Sequence, residues 1–128
     1  MTPKHDLITQ ALQVRQQAHV PYSHFSVGAA LQTTSGQVFT GCNVENASYG
    51  LTICAERGAV MKAVSEGARD FEAIAVVSEN GVTPCGACRQ VLAEFNLELR
   101  VIVADLEGNS RAYRLSELLP QAFLPDHL

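Results

Sequence analysis

Between residues 54 and 105 the chain alternates between two kinds of hydrophobic pattern, and this alternation restricts the folds open to it. Ala55, Ala59, Val60, Ala63 and Val64 recur at helical spacing from Cys54 to about Gly67, where glycine suits a C-cap. Phe71 to Ser78 is then an almost unbroken apolar run, as expected of a strand covered on both faces. A second helical pattern opens at Cys85 or Gly86 and runs to about Phe95, and Leu99 to Asp105 reads as another buried strand. Parallel strands need crossovers of this length, so the stretch predicts right-handed βαβ units in one sheet.

The flanks complete the sheet. Residues 6–19 read as an amphipathic helix capped by Asp6, with Leu7, Ala11, Val14 and Ala18 in one stripe and a stop at Val20-Pro21. Ser26 to Thr33 and Val38 to Val44 read as strands joined by the turn Thr34-Ser35-Gly36-Gln37. Gly28 and Gly41 interrupt these strands, which signals close approach of another element. Residues 45–53 read as a loop. Leu106-Glu107-Gly108-Asn109 turns tightly into Arg111 to Leu115, an antiparallel partner of the preceding strand, and Ser116 to Leu119 makes one helical turn before Pro120. The fold class is α/β: a three-layer αβα arrangement around a five-stranded mixed sheet, with residues 1–128 as one domain.

Composition narrows the function. With 47% hydrophobic residues the chain can build a packed core, and a net charge of −4 gives it no basic excess for holding a phosphate backbone. Nucleic acid is therefore not an expected partner. No apolar run is long enough to span a bilayer, and Met1 to Asp6 has no apolar leader, so a membrane is not expected either and the cytoplasm is the default compartment. In a reducing compartment the four cysteines favour metal binding or chemistry over disulfides.

Three of those cysteines fall at helix starts: Cys54 at one, Cys85 and Cys88 at the other. A helix N-terminus favours thiolate, and soft thiolates favour zinc. Three protein ligands leave a fourth position for water, the catalytic arrangement, and zinc lowers the pKa of such a water to about 7. Glu56, two residues after Cys54, is poorly placed as a ligand beside it and well placed to reach that water. C-x-x-C alone fits a redox pair or half of a structural zinc site equally well; Cys54-Ala55-Glu56 upstream favours catalysis. Three thiolates carry more charge than Zn²⁺ cancels, so Arg57 is expected to donate to the ligand sulfurs. Cys42 is left over, either a small buried side chain or the fourth ligand of a closed site that would exclude catalysis.

Thr52-Ile53-Cys54-Ala55-Glu56-Arg57 and Pro84-Cys85-Gly86-Ala87-Cys88-Arg89-Gln90 together resemble the cytidine deaminases of the short, three-cysteine, homotetrameric type. Phe25 to Leu31, Gly41 to Gly50 and Leu118 to Phe123 resemble that family's segments too. The resemblance implies hydrolytic deamination of cytidine and deoxycytidine, with one Zn²⁺ per subunit held by Cys54, Cys85 and Cys88. Glu56 would carry a proton from water to the ring and then to the departing amine. It also implies that Asn43 and Glu45 meet the ribose, that Phe25 lies against the pyrimidine, that the backbone at Ala55 reads the base edge, and that Phe123 covers the base in a neighbouring subunit's site of a homotetramer. Tyr49 would sit at a subunit boundary. Rival readings are a deaminase like that for blasticidin S, a non-catalytic zinc module and a dithiol redox protein. His5, His19, His24 and His127 lack ligand spacing to the cysteines.

Overall fold

The computed structural model describes the chain from Lys4 to Leu128. Its elements run α1 (Lys4–Arg15), β1 (Gly28–Thr33), β2 (Val38–Cys42), α2 (Ala55–Ser65), β3 (Phe71–Val77), α3 (Gly86–Ala93), β4 (Arg100–Ala104), β5 (Ser110–Arg114) and α4 (Leu115–Leu118). Short 3₁₀ turns lie at Tyr49–Leu51 and Pro125–His127. The five strands form one sheet in the order β2-β1-β3-β4-β5. β3 and β4 pair in parallel, while β1 with β2, β1 with β3, and β4 with β5 are antiparallel. The sheet is therefore mixed, with the parallel pair and the antiparallel final hairpin where the pattern predicts them.

Side-chain size along β3 separates the two faces. Ala73, Ala75 and Val77 join Ala30, Ile102 and Ala104 beneath Leu7 and Ala11 of α1. Ile74 and Val76 join Val101 and Val103 beneath α2 and α3, together with Ala59, Val60, Ala63 and Leu92. Each larger aliphatic side chain buried this way contributes about 1.5–3 kcal/mol. The small residues let α1 approach closely: a Cβ on Gly28 would stand 2.0 Å from the Ala11 carbonyl oxygen. On the other face, a Cβ on Gly41 would stand 2.5 Å from both the Ala55 carbonyl oxygen and the Ala59 nitrogen. Both glycines that interrupt strand patterns thus admit a helix backbone.

Two local expectations are corrected. Asp6 does not cap α1: the helix is already formed at Lys4, and Asp6 lies in its first turn, where a negative charge still opposes the positive helix end. The strands are also shorter than their apolar runs, because Ser26, Val27, Asn43 and Val44 leave the ladder to build loop contacts. The expectation about the leader at Met1 to Pro3, and the side chain of His5, lie outside the described residues. Among those residues, no helix is long and apolar enough to cross a membrane.

Candidate metal centre and its cleft

The two cysteine-bearing helices begin alike. Cys54 and Cys85 each stand one residue ahead of their helix in extended backbone (φ −71°, ψ 156° and φ −66°, ψ 168°). Each offers its carbonyl to the first helical hydrogen bond, from the N–H of Gly58 and of Arg89, both at 3.0 Å. Neither side chain folds back to cap its helix. Their sulfurs meet instead, 3.9 Å apart, and Cys88 brings its own to 3.5 Å from that of Cys85. All three sulfurs lie within 4.8 Å of one another, with Cys85 exposed, Cys54 half-buried and Cys88 buried. Cys42, at the end of β2, is not in the cluster, so the closed four-cysteine site is not assembled.

The donor set fits zinc. Zinc–thiolate bonds of about 2.3 Å at tetrahedral angles set the sulfurs about 3.8 Å apart. The spacings of 3.9 and 3.5 Å lie close to that edge. Arg57 Nη2 donates to Cys54 Sγ at 3.4 Å and reaches the Thr52 carbonyl at 3.5 Å. The Cys88 thiol, and after it Arg57, stabilise the Cys54 anion and pull that thiol down to about 5. The same shared proton, with burial, pushes Cys88 up.

Glu56, only 5% exposed, lies in the first turn of α2. Burial raises its carboxyl to about 7, and the neighbouring Cys54 charge adds to the rise. A group poised there can take up and release protons near neutral pH. Glu56 lines a cleft of about 220 Å³ together with Cys54, Cys85 and Ala55. Phe25, Val27, Val76 and Val82 give it apolar walls, and Asn43, Thr52 and Thr83 give it polar ones.

The substrate-side candidates fall into two groups. Asn43 lines the cleft, but its amide is engaged: Oδ1 accepts from Val27 N–H at 2.9 Å and Nδ2 donates to the Phe25 carbonyl at 2.8 Å. It thereby fixes the backbone on either side of Ser26, next to the Phe25 ring. Glu45 lines an adjoining cavity of about 300 Å³ with Tyr22, Ser23 and Tyr49, and Thr52 borders both cavities. Its carboxylate accepts from the N–H groups of Tyr22 and Ser23 at 3.0 and 3.1 Å and from the Ser23 hydroxyl. The Ser23 hydroxyl, with these backbone donors, holds that carboxyl below the usual range.

Phe123 lies away from both cavities and is 58% exposed, its carbonyl held by Gln90 Nε2 at 2.8 Å. Tyr49 is 73% exposed and packs edge-on against Tyr22. His19, His24 and His127 are not in the sulfur cluster. Sequence reasoning gave no role to Thr52, although it opens the Thr52–Arg57 motif, and missed Val82 and Thr83, short side chains in an irregular segment with no pattern to mark them. It also missed Tyr22 and Ser23, whose link to Glu45 spans more than twenty residues of chain.

Comparisons with known proteins agree with this geometry. Residues 1–104 match the family model described as the cytidine and deoxycytidylate deaminase zinc-binding region. The chain is 53% identical over 125 residues to a cytidine deaminase of Halalkalibacterium halodurans, covering 95% of each chain. It is 50% identical to one of Sporosarcina psychrophila, covering 95% of this chain and 92% of that one. A crystal structure of cytidine deaminase from Burkholderia pseudomallei superposes with a TM-score of 0.93 at 50% identity, covering 95% of this chain and all of that one. One from Mycobacterium tuberculosis superposes with a TM-score of 0.85 at 44% identity, covering 96% and 98%. With a matching family model over most of its length, relatives at half identity and three sulfurs gathered at two helix starts, the chain belongs to the zinc-binding cytidine and deoxycytidylate deaminase family.

Proposed function

We propose that this protein hydrolyses the exocyclic amine of cytidine and deoxycytidine, yielding uridine or deoxyuridine and ammonia. The observation that carries this reading is that buried Glu56 lines one cleft of about 220 Å³ together with Cys54 and Cys85 of the sulfur cluster. Cys54, Cys85 and Cys88 would hold the zinc. When bound, zinc supplies the Lewis acidity that makes a water nucleophilic near neutral pH.

Glu56 moves the protons. Its carboxylate accepts one from the attacking water and gives it to the ring nitrogen beside the amine-bearing carbon, which becomes electrophilic. After hydroxide has added to that carbon, the Glu56 carboxylate takes the proton of the new hydroxyl and passes it to the amine; the C–N bond breaks, the C=O bond forms and ammonia leaves. Arg57 withdraws charge from the Cys54 sulfur. Phe25 offers its ring to the pyrimidine, and the buried backbone at Ala55 lies where it can read the base edge. Asn43 and Glu45 serve the ribose, Asn43 partly by holding the Phe25 segment in place.

Among the described residues no lysine or arginine lines either cavity, which supports an uncharged nucleoside over a nucleotide. The exposed ring of Phe123, and Tyr49 at the cavity rim, support a homotetramer in which neighbouring subunits complete one another's sites. The same reading gives one catalytic domain over residues 1–128, a role in pyrimidine salvage and a cytoplasmic location. The test is an ultraviolet assay of pure protein with cytidine, deoxycytidine and cytidine 5′-phosphate, with sedimentation alongside. Turnover of both nucleosides by a tetramer is expected. No turnover of either nucleoside would overturn the assignment, and full activity in a monomer would overturn the shared site.

A further inference from the structure

Arg89 makes a set of contacts that the proposed chemistry has not used. Each of its guanidinium nitrogens donates to a different acceptor: Nε to the Pro84 carbonyl at 2.7 Å, Nη2 to Thr83 Oγ1 at 2.8 Å, and Nη1 to the Leu118 carbonyl at 2.6 Å. Thr83 is a wall of the cleft, Pro84 immediately precedes Cys85, and Leu118 is the last residue of α4. Val82, Thr83 and Pro84 belong to no helix, strand or bridge. A guanidinium is a rigid planar fork that can hold three acceptors in fixed directions, whereas a lysine ammonium is a point charge on a flexible stem. From these contacts we propose that Arg89 is a positioning residue for the deamination: it fixes the Thr83–Pro84 wall against the end of α4 and so sets where that wall stands relative to the reacting ring.

The inference rests on the proposed function, but its test separates the two. A wall displaced by about 1 Å costs on the order of 100-fold in rate. Arg89→Lys is expected to fold, to retain zinc and to keep its KM for cytidine within about twofold, while kcat falls about 10- to 100-fold. Thr83→Val, which keeps the shape and removes the hydroxyl acceptor, should lower kcat by a smaller factor. The double variant should be no slower than Arg89→Lys alone, because both changes break one connection. Amide hydrogen exchange should accelerate at residues 82–86 and 119–124 together in Arg89→Lys, whether or not cytidine is turned over. A wild-type protein inactive on cytidine would therefore defeat the proposed function, and the exchange data would still decide the clamp. Unchanged kcat in Arg89→Lys, multiplying effects in the double variant, zinc loss in step with activity, or unaltered exchange would each overturn the proposal. If Arg89→Lys does not fold, Thr83→Val decides alone: faster exchange at 82–86 with lower kcat supports the clamp, and wild-type behaviour in both overturns it.

Discussion

The helices α2 and α3 start with the same device, a cysteine in extended backbone one residue ahead of the first turn, yet they are held in place differently. The start of α2 is packed backbone against backbone: Ala55 is fully buried, and only the missing side chain of Gly41 lets β2 lie against the Ala55 carbonyl and the Ala59 nitrogen. The start of α3 is open. Cys85 and Gly86 are exposed, a Cβ on Gly86 would meet nothing within 4 Å, and the segment is tied down by the Arg89 side chain. Glu56, the proposed proton carrier, therefore sits on the element that the core holds rigidly. Two of the three sulfurs, Cys85 and Cys88, sit on the element that a side chain holds. Close packing resists displacement far more than three half-buried side-chain hydrogen bonds do, so damage to the two starts should differ in kind.

The largest effect should come from the buried start. Glu56→Gln keeps the volume and removes the proposed proton carrier, so turnover should drop by about 10³-fold, within the 10²–10⁴ range for general acid–base groups, while zinc stays at one per chain. Steady-state rates and metal analysis on one preparation check this. Gly41→Ala attacks the packing beneath Glu56. A Cβ 2.5 Å from two backbone atoms cannot be relieved by rotating a side chain, so the loss of stability should be about 3 kcal/mol in chemical denaturation, the upper end of the usual cost of overpacking, with zinc lost as well.

Much of this contrast was legible beforehand. The glycines interrupting the two strand patterns signalled close approach, and the helix starts at Cys54 and Cys85 followed from where apolar periodicity resumes. What was not legible rests on contacts between distant segments. Nothing local ties Arg89 to Leu118, twenty-nine residues on, or Glu45 to Ser23, twenty-two residues back. The resemblance put Asn43 and Glu45 together on the ribose, but nothing in the sequence reveals that they line separate cavities with both side chains engaged by the 22–27 segment, because hydrogen-bonding partners leave no periodic trace. Asp6 failed as a cap for a simpler reason: capping chemistry marks where a helix can begin, and α1 already extends ahead of it.

Smaller effects sharpen the contrast. Arg57→Ala removes the donor to Cys54 and should weaken zinc binding about 10- to 100-fold in competition with a chelator, with little change in fold. Gly86→Ala, on the open start, should be tolerated and should stabilise the protein by about 0.4–1 kcal/mol through the unfolded state, seen as a small rise in Tm. If Gly86→Ala were as damaging as Gly41→Ala, the distinction between a packed start and a tied one would be wrong.

The account turns on a metal held by three sulfurs, with its remaining position served by a carboxyl that is not a ligand. X-ray absorption at the zinc edge of the purified protein measures this most directly. One zinc per chain, bound by three sulfurs and one lighter atom, with the same spectrum in Glu56→Gln, is the predicted result. A shell of four sulfurs, a spectrum that changes when Glu56 is replaced, or protein that binds no zinc would contradict it.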